Sequence, residues 1–296
     1  MRILVTNDDG VHAPGLRALA GELARVGEVV VVAPDRERSG AAHAITVHTP
    51  LRVSRVEWGE GIVAYAVDGT PTDCVKLGME ALVDGGCGDR GCQAVVSGIN
   101  RGPNLGTDVI YSGTVSGALE GHLQGVPAIA ASLDSFTARE ESYRPAARVV
   151  RELLGELLSG RWERPPLLNV NVPGLPPEAI RGVRITRLGV RRYRNVFHRR
   201  EDPRGRVYYW LAGEAVDLDE RPDTDARSVR EGYVSVTPLR FDLTDAARMA
   251  RLRGWEARTW EGIATAPMAP PEPGAGAPTE TSGAPPGPGA LGPDPE

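Results

Sequence analysis

The chain has 296 residues, 41% of them hydrophobic, and a formal net charge of −5. That length suits one large domain or a domain with an appendage. The acidic balance does not suit a partner built of phosphate polymer, so a nucleic-acid coat is excluded. From residue 269 onward the acids Glu272, Glu280, Asp294 and Glu296 meet no Lys or Arg, which leaves a body of about −1 by charge counting.

The chain opens MRILVTNDDG. Ile3–Thr6 reads as a core strand, and Asn7, Asp8, Asp9 and Gly10 read as the turn that ends it. Polar residues interrupt the first apolar stretch at once and no apolar run approaches membrane-spanning length, so a cytoplasmic protein with no membrane partner is expected. A helix over residues 14–26 follows, with Pro near its first turn and Gly27 as its stop. Val29–Ala33 is a continuous apolar run, typical of a strand covered on both faces. Leu51–Val56 and Ile62–Val67 read as a hairpin around Trp58-Gly59-Glu60-Gly61. Thr70 caps a helix predicted over 71–83. Ala94–Val96 is a strand ended by Ser97-Gly98-Ile99-Asn100. A helix over 114–125, a strand over 128–131, a helix over 144–158 and a strand over 168–172 complete the series.

This βαβ rhythm predicts an α/β, three-layer αβα, Rossmann-like architecture with a mostly parallel sheet over residues 1–180. Such sheets hold ligands at the carboxyl ends of their strands. From 181 to 262 the chain turns β-rich, with a short C-terminal helix over 244–253. Tyr208, Tyr209 and Trp210 on exposed strands suit either a subunit interface or a hairpin packed on its own domain. Residues 263–296 are Pro, Gly and Ala without apolar periodicity, which predicts a disordered tail.

Three cysteines, Cys74, Cys87 and Cys92, argue against a disulfide framework. Cys87 and Cys92 have no second Cys/His pair nearby, so a loop thiol pair, or no role at all, is preferred to a zinc site. Lys76 is the sole lysine; it falls on a predicted helix and is given no catalytic role.

Adjacent like charges repel, and burial sharpens the repulsion. Asp8 and Asp9 therefore read either as an Asx turn capping the next helix or as ligands of a hard divalent cation. Three further segments bear on the choice. RERSGAAHA places the Ser39 hydroxyl beside Gly40 in a polar loop. SGINRGPNLG places Asn100 and Asn104 among glycines. YSGTVSGALEG opens a helix at Ser112-Gly113-Thr114, where free N–H groups attract anions, although such a start is usually only a cap. Carboxylates for a metal together with a helix start for an anion suit metal-assisted attack on a phosphate ester. His43 lies near Ser39 and is expected to be a solvated or hydrogen-bonded loop histidine.

With these motifs in order, together with DGTPTDCV and EDPRGRVYYWL, residues 1–255 resemble the SurE (survival protein E) family of metal-dependent 5′/3′-nucleotidases. The resemblance implies one divalent ion, Mg²⁺ or Mn²⁺, held by Asp8, Asp9, Ser39 and Asn100. It implies phosphate contacts from Asn104, Ser112, Gly113 and Thr114, nucleoside monophosphate substrates, and a homodimer or homotetramer with exchanged C-terminal parts. The expected mechanism is attack by a metal-activated water, with Asp8 and Asp9 as catalytic residues. A phospho-aspartyl intermediate ranks second, because the pair is adjacent and not Asp-x-Asp. A receiver-like signalling domain is disfavoured, since Ala94–Val96 ends in SGIN and Lys76 is misplaced. A non-catalytic nucleotide sensor on the same fold is the other alternative. The CGDRGC insert and the long tail depart from the family pattern.

Overall fold

The structure is a computed structural model that describes residues 1–59, 61–83, 91–160, 162–194, 197–219 and 221–255. Two units divide the chain, one spanning Met1–Asp242 and a second beginning at Leu243. The apolar runs of the first unit become parallel strands β1 (Arg2–Thr6), β2 (Glu28–Pro34), β4 (Val63–Val67), β5 (Ala94–Arg101), β6 (Ala128–Asp134) and β7 (Leu167–Pro173). With β3 (Val53–Glu57), β8 (Val183–Ile185) and β13 (Val234–Leu239) they form one sheet, ordered β3-β4-β2-β1-β5-β6-β7-β13-β8. Only β3 against β4 and β13 against β7 pair antiparallel within it.

Alternation along β1 builds the three layers. Ile3 and Val5 face α1 (Pro14–Leu23) and α4 (Arg144–Leu157), which contribute Leu16, Leu19, Val150 and Leu154 to that core. Leu4 faces the other way, onto Cys74 and Val75 of α2 (Pro71–Leu77) and Val115 and Ala118 of α3 (Gly113–Leu123). The Rossmann-like αβα fold expected from the βαβ rhythm is therefore present. Thr70 does cap α2: its hydroxyl accepts from Asp73 N at 3.1 Å while the Asp73 carboxylate accepts from Thr70 N at 2.9 Å. This reciprocal box satisfies two of the backbone donors that a helix start leaves over.

Three readings change. The helix predicted over 71–83 is α-helical only to Leu77 and continues as a π-helical turn, Gly78–Leu82. Gly78 sits where a Cβ would stand 3.0 Å from Leu4 and 3.1 Å from Val32, so this turn lies tight on the sheet. The strand predicted to stop at Val96 runs on through SGIN to Arg101, with a register shift against β6 between Ser97 and Asn100. Of the strands read into the segment after residue 180, β8 and β13 belong to the main sheet.

What remains of that segment is two ribbons. β9 (Arg191–Arg194) pairs with β12 (Glu214–Asp217), and β10 (Phe197–Glu201) pairs with β11 (Val207–Leu211). A short helix, α5 (Asp225–Arg230), leads into β13. In the second unit the described residues hold α6 (Ala246–Leu252), whose first turn is capped by the Asp245 carboxylate accepting from Arg248 N. The tail read over 263–296, the Glu60 position in the first hairpin turn and the Cys87 end of the cysteine pair lie outside the described residues. Cys74 and Cys92 are buried, and burial pushes the Cys74 thiol well above its ordinary range.

Candidate active site

The carboxyl ends of β1 and β5 and the first turn of α3 meet at one edge of the sheet. β1 ends where Asn7 Nδ2 donates to Gly10 O at 3.0 Å. Gly10 has φ +100°, and a Cβ there would stand 3.2 Å from the Arg36 backbone, so the turn needs glycine. This turn releases Asp8 and Asp9 from strand alternation.

Asp8 is 4% exposed. Its Oδ1 accepts the Thr114 hydroxyl, and a Cβ on Gly113 would lie 2.9 Å from its Oδ2. The start of α3 is thus fitted against the carboxylate. Burial pushes the Asp8 carboxyl up to about 6; the Thr114 hydrogen bond opposes this and the Asp9 charge adds to it. Asp9 is also raised, chiefly by burial, against a 3.1 Å hydrogen bond from Arg101 N and the Arg101 charge.

The Ser39 loop is tied in by Arg38 N donating to Asp8 O at 2.8 Å and Ala42 N donating to Tyr111 O at 3.2 Å. Ser39 itself is exposed and its hydroxyl donates to Glu37 at 2.8 Å. Asn100 Nδ2 donates to Gly102 O at 2.8 Å, leaving its Oδ1 as the other polar atom of the amide. Ser112 is the N-cap of α3, its hydroxyl accepting from Val115 N at 3.1 Å.

A cavity of about 730 Å³ is lined by Asp8, Ser39, Asn100, Asn104 and Ser112. Those five residues, far apart in sequence, are brought together as expected; Asp9, Gly113 and Thr114 do not line the cavity. Thr114 instead touches Asp8, and Asp9 touches the Arg101 backbone. Every donor the five offer toward a metal is oxygen, and Asp9 adds another carboxylate beside them. That set fits a hard divalent cation such as Mg²⁺ or Mn²⁺. A cation would also relieve the cost of an ionised, buried Asp8 next to Asp9. Among the described residues no cluster of three or more His, Cys, Asp or Glu offers a competing site.

Sequence reading missed the support around Asn104. Its Nδ2 donates to Ser132 Oγ at 2.8 Å, its N–H to Asn171 Oδ1 at 2.8 Å, and its carbonyl accepts from Asn169 and Asn171 at 2.9 and 3.0 Å. The signal was the pair of amides in LLNVNVP, polar residues alternating inside a fully buried strand. It also missed the far wall of the cavity, formed by Tyr111, Phe136, Tyr193 and Leu211. Tyr193 donates to Asp108 Oδ2 at 2.8 Å, and burial together with that carboxylate pushes its phenol up to about 12. His43 is the hydrogen-bonded loop histidine expected: its Nε2 lies 3.1 Å from the buried Glu120. Lys76 pairs with Glu80 at 3.0 Å and lies 3.8 Å from Glu120, away from the cavity.

Known proteins were compared with this geometry in view. The profile of the family described as Survival protein SurE matches residues 3–195. A protein of Moorella thermoacetica named 5′-nucleotidase SurE is 52% identical over 263 residues, covering 88% of this chain and 98% of that one. Its namesake from Pelotomaculum thermopropionicum is 53% identical over 255 residues, covering 86% and 94%. The crystal structure of the SurE protein from Aquifex aeolicus superposes with a TM-score of 0.74 at 39% identity, covering 86% of this chain and all of that one. A matching profile over most of the sheet, half-identical relatives covered almost end to end and a shared fold have one meaning: the chain belongs to the SurE family.

Proposed function

We propose that the protein is a metal-dependent nucleotidase that hydrolyses nucleoside monophosphates to nucleoside and phosphate. Its relatives are named for that activity. The observation that carries the reading is the Asp8 carboxylate, buried at a cavity wall with a helix start fitted against it. A structural cap would not need an adjacent second acid or a ligand-sized cavity.

In this reading Asp8, Asp9, Ser39 and Asn100 hold one Mg²⁺ or Mn²⁺. When bound, such an ion polarises phosphate oxygens and lowers the pKa of water. Asp8 orients the attacking water, and Thr114 fixes the rotamer of Asp8. Asn104 and Ser112 bind the phosphate, the α3 start behind them favouring its negative charge. The Asn169–Asn171–Ser132 network keeps Asn104 aimed. Phosphate fills a small part of about 730 Å³; the aromatic wall of Tyr111, Phe136 and Tyr193 takes the nucleoside.

We further propose a cytoplasmic homodimer or homotetramer with no nucleic-acid polymer or membrane as partner. No helix of the described residues is long and apolar enough to cross a membrane. The β10–β11 ribbon is exposed along its whole length and carries Phe197, Tyr208, Tyr209, Trp210 and Leu211. That composition suits a subunit contact. Light scattering checks it, and a monomer at working concentration overturns it.

Phosphate release from 5′- and 3′-nucleoside monophosphates, with Mn²⁺ or Mg²⁺ and with EDTA, tests the activity. Release that needs metal and is lost in Asp8→Asn is expected. Nucleotide binding without release under any metal overturns the reading in favour of a sensor.

A further inference from the structure

A second cavity, of about 450 Å³, lies between α1, the β3–β4 turn and the start of α4, and shares no lining residue with the first. Arg17, Arg25, Arg144 and Arg148 line it, against only two carboxylates, Glu22 and Glu140. Glu22 is already engaged, by Arg25 at 3.4 Å and by Arg151. Arg17, Arg144 and Arg148 make no ion pair with any described residue. A protein of net charge −5 thus concentrates unpaired guanidinium groups around one concave surface.

The spacing is regular. Arg17 and Gly21 stand one turn apart on one face of α1, and Arg25 follows in the turn just after the helix. Arg144 and Arg148 are one turn apart on α4. Glycine is a poor helix former, and no packing explains this one: a Cβ at Gly21 would have no heavy atom within 4 Å. Gly21 lines the cavity and leaves its floor open. Trp58 forms another wall, with the Arg17 guanidinium 4.9 Å from its ring centre. Its indole N–H is buried and has no hydrogen-bond partner among the described residues. Guanidinium forks that meet no carboxylate are matched in shape and charge to phosphate oxygens.

We propose that this cavity is a second binding site, for a small molecule bearing two or more phosphate charges. Arg144 and Arg148 grip the phosphates from one side, and Arg17, held on Trp58, grips from the other. Gly21 provides the room. The site is separate from the metal-binding edge and does not depend on the nucleotidase reading.

Calorimetric titration of the full chain in EDTA, with pyrophosphate and with ATP, tests it. Wild type is expected to bind pyrophosphate, and Arg144→Gln/Arg148→Gln to bind it at least about tenfold more weakly, as loss of two charge-assisted contacts requires. Gly21→Leu fills the floor with a better helix former; it is expected to lose binding while melting no lower than wild type. Phosphate release from a nucleoside monophosphate without added effector is expected to be unchanged in both variants. ATP binding more tightly than pyrophosphate identifies a nucleotide as the occupant, and equal affinity identifies the phosphates alone. Equal pyrophosphate affinity in wild type and both variants overturns the proposal, as does absence of binding to wild type at about 5 mM, far weaker than ordinary metabolite sites.

Discussion

The Asp8–Asp9 edge and the β10–β11 ribbon invert the usual rule of burial in opposite senses. At the edge, polar groups are hidden: Asp8, Asn104, Thr114, Ser132, Asn169 and Asn171 are all buried. On the ribbon, large apolar groups are displayed: Trp210 is 64% exposed and Leu211 71%. Hidden polar groups need partners, and the edge supplies most of them among its own side chains, leaving Asn169 Oδ1 without a partner among the described residues and the charge of Asp8 unmatched. Displayed apolar groups also need a partner, and, apart from Leu211 at the rim of the cavity, the ribbon leaves its large apolar side chains open to solvent. In the proposed reading the edge is completed by something small and charged, the ribbon by something large and apolar.

The largest expected effect breaks the first half of this contrast. Asp8→Asn should cut metal-dependent phosphate release by roughly 10³-fold, since it removes a negative ligand at the reacting centre, without lowering the melting temperature of the metal-free protein. Gly113→Ala comes next. Its methyl would press on the Asp8 Cβ and Oδ2 from 2.9 Å, and a loss of about 10- to 100-fold in kcat/KM is expected, as for displaced supporting groups, together with a lower melting temperature from overpacking. An unchanged rate would mean the helix start does not bear on the chemistry.

Trp210→Glu addresses the ribbon. It should shift the scattering mass toward monomer while the far-ultraviolet spectrum stays unchanged, because that side chain stands mostly in solvent. The pH dependence sharpens the contrast further. With Asp8 raised from 3.8 to about 6 in the fold, the native state binds more protons than the unfolded chain between those values. The metal-free protein should therefore lose stability as pH rises through that window, by an amount on the order of 3 kcal/mol. In Asp8→Asn that slope should flatten, and urea melts at pH 4, 5, 6 and 7 in EDTA would show it. The smallest effect lies in neither region. Thr70→Ala removes half of the α2 capping box and should cost about 1 kcal/mol by urea denaturation.

The edge was legible in the sequence for local reasons. An apolar run followed by Asn7-Asp8-Asp9-Gly10 can only be a strand that stops, and Ser112 before Gly113-Thr114 can only open a helix. What escaped was set by pairing at a distance. β5 runs past Gly98 because β6 offers it partners as far as Leu133, which no property of SGIN announces. Asn169 and Asn171 look like faults in an apolar strand until Asn104 is folded against them. β8 and β13 read as arm strands because their neighbours in the sheet lie up to about 60 residues away in the chain.

That last pairing also governs how the protein is born. β7, buried along its whole length, ends at Pro173, and β13, the strand that covers its outer side, begins only at Val234. At about 5–20 residues per second the ribosome needs about 3–12 s to bridge that gap. For that interval the nascent sheet carries an open border of unpaired backbone groups and buried-type side chains, which is the ordinary template for aggregation. Any stop or cleavage before Val234 makes that border permanent, so the Asp8–Asp9 edge, begun in the first ten residues, depends for its solubility on a strand more than two hundred residues later.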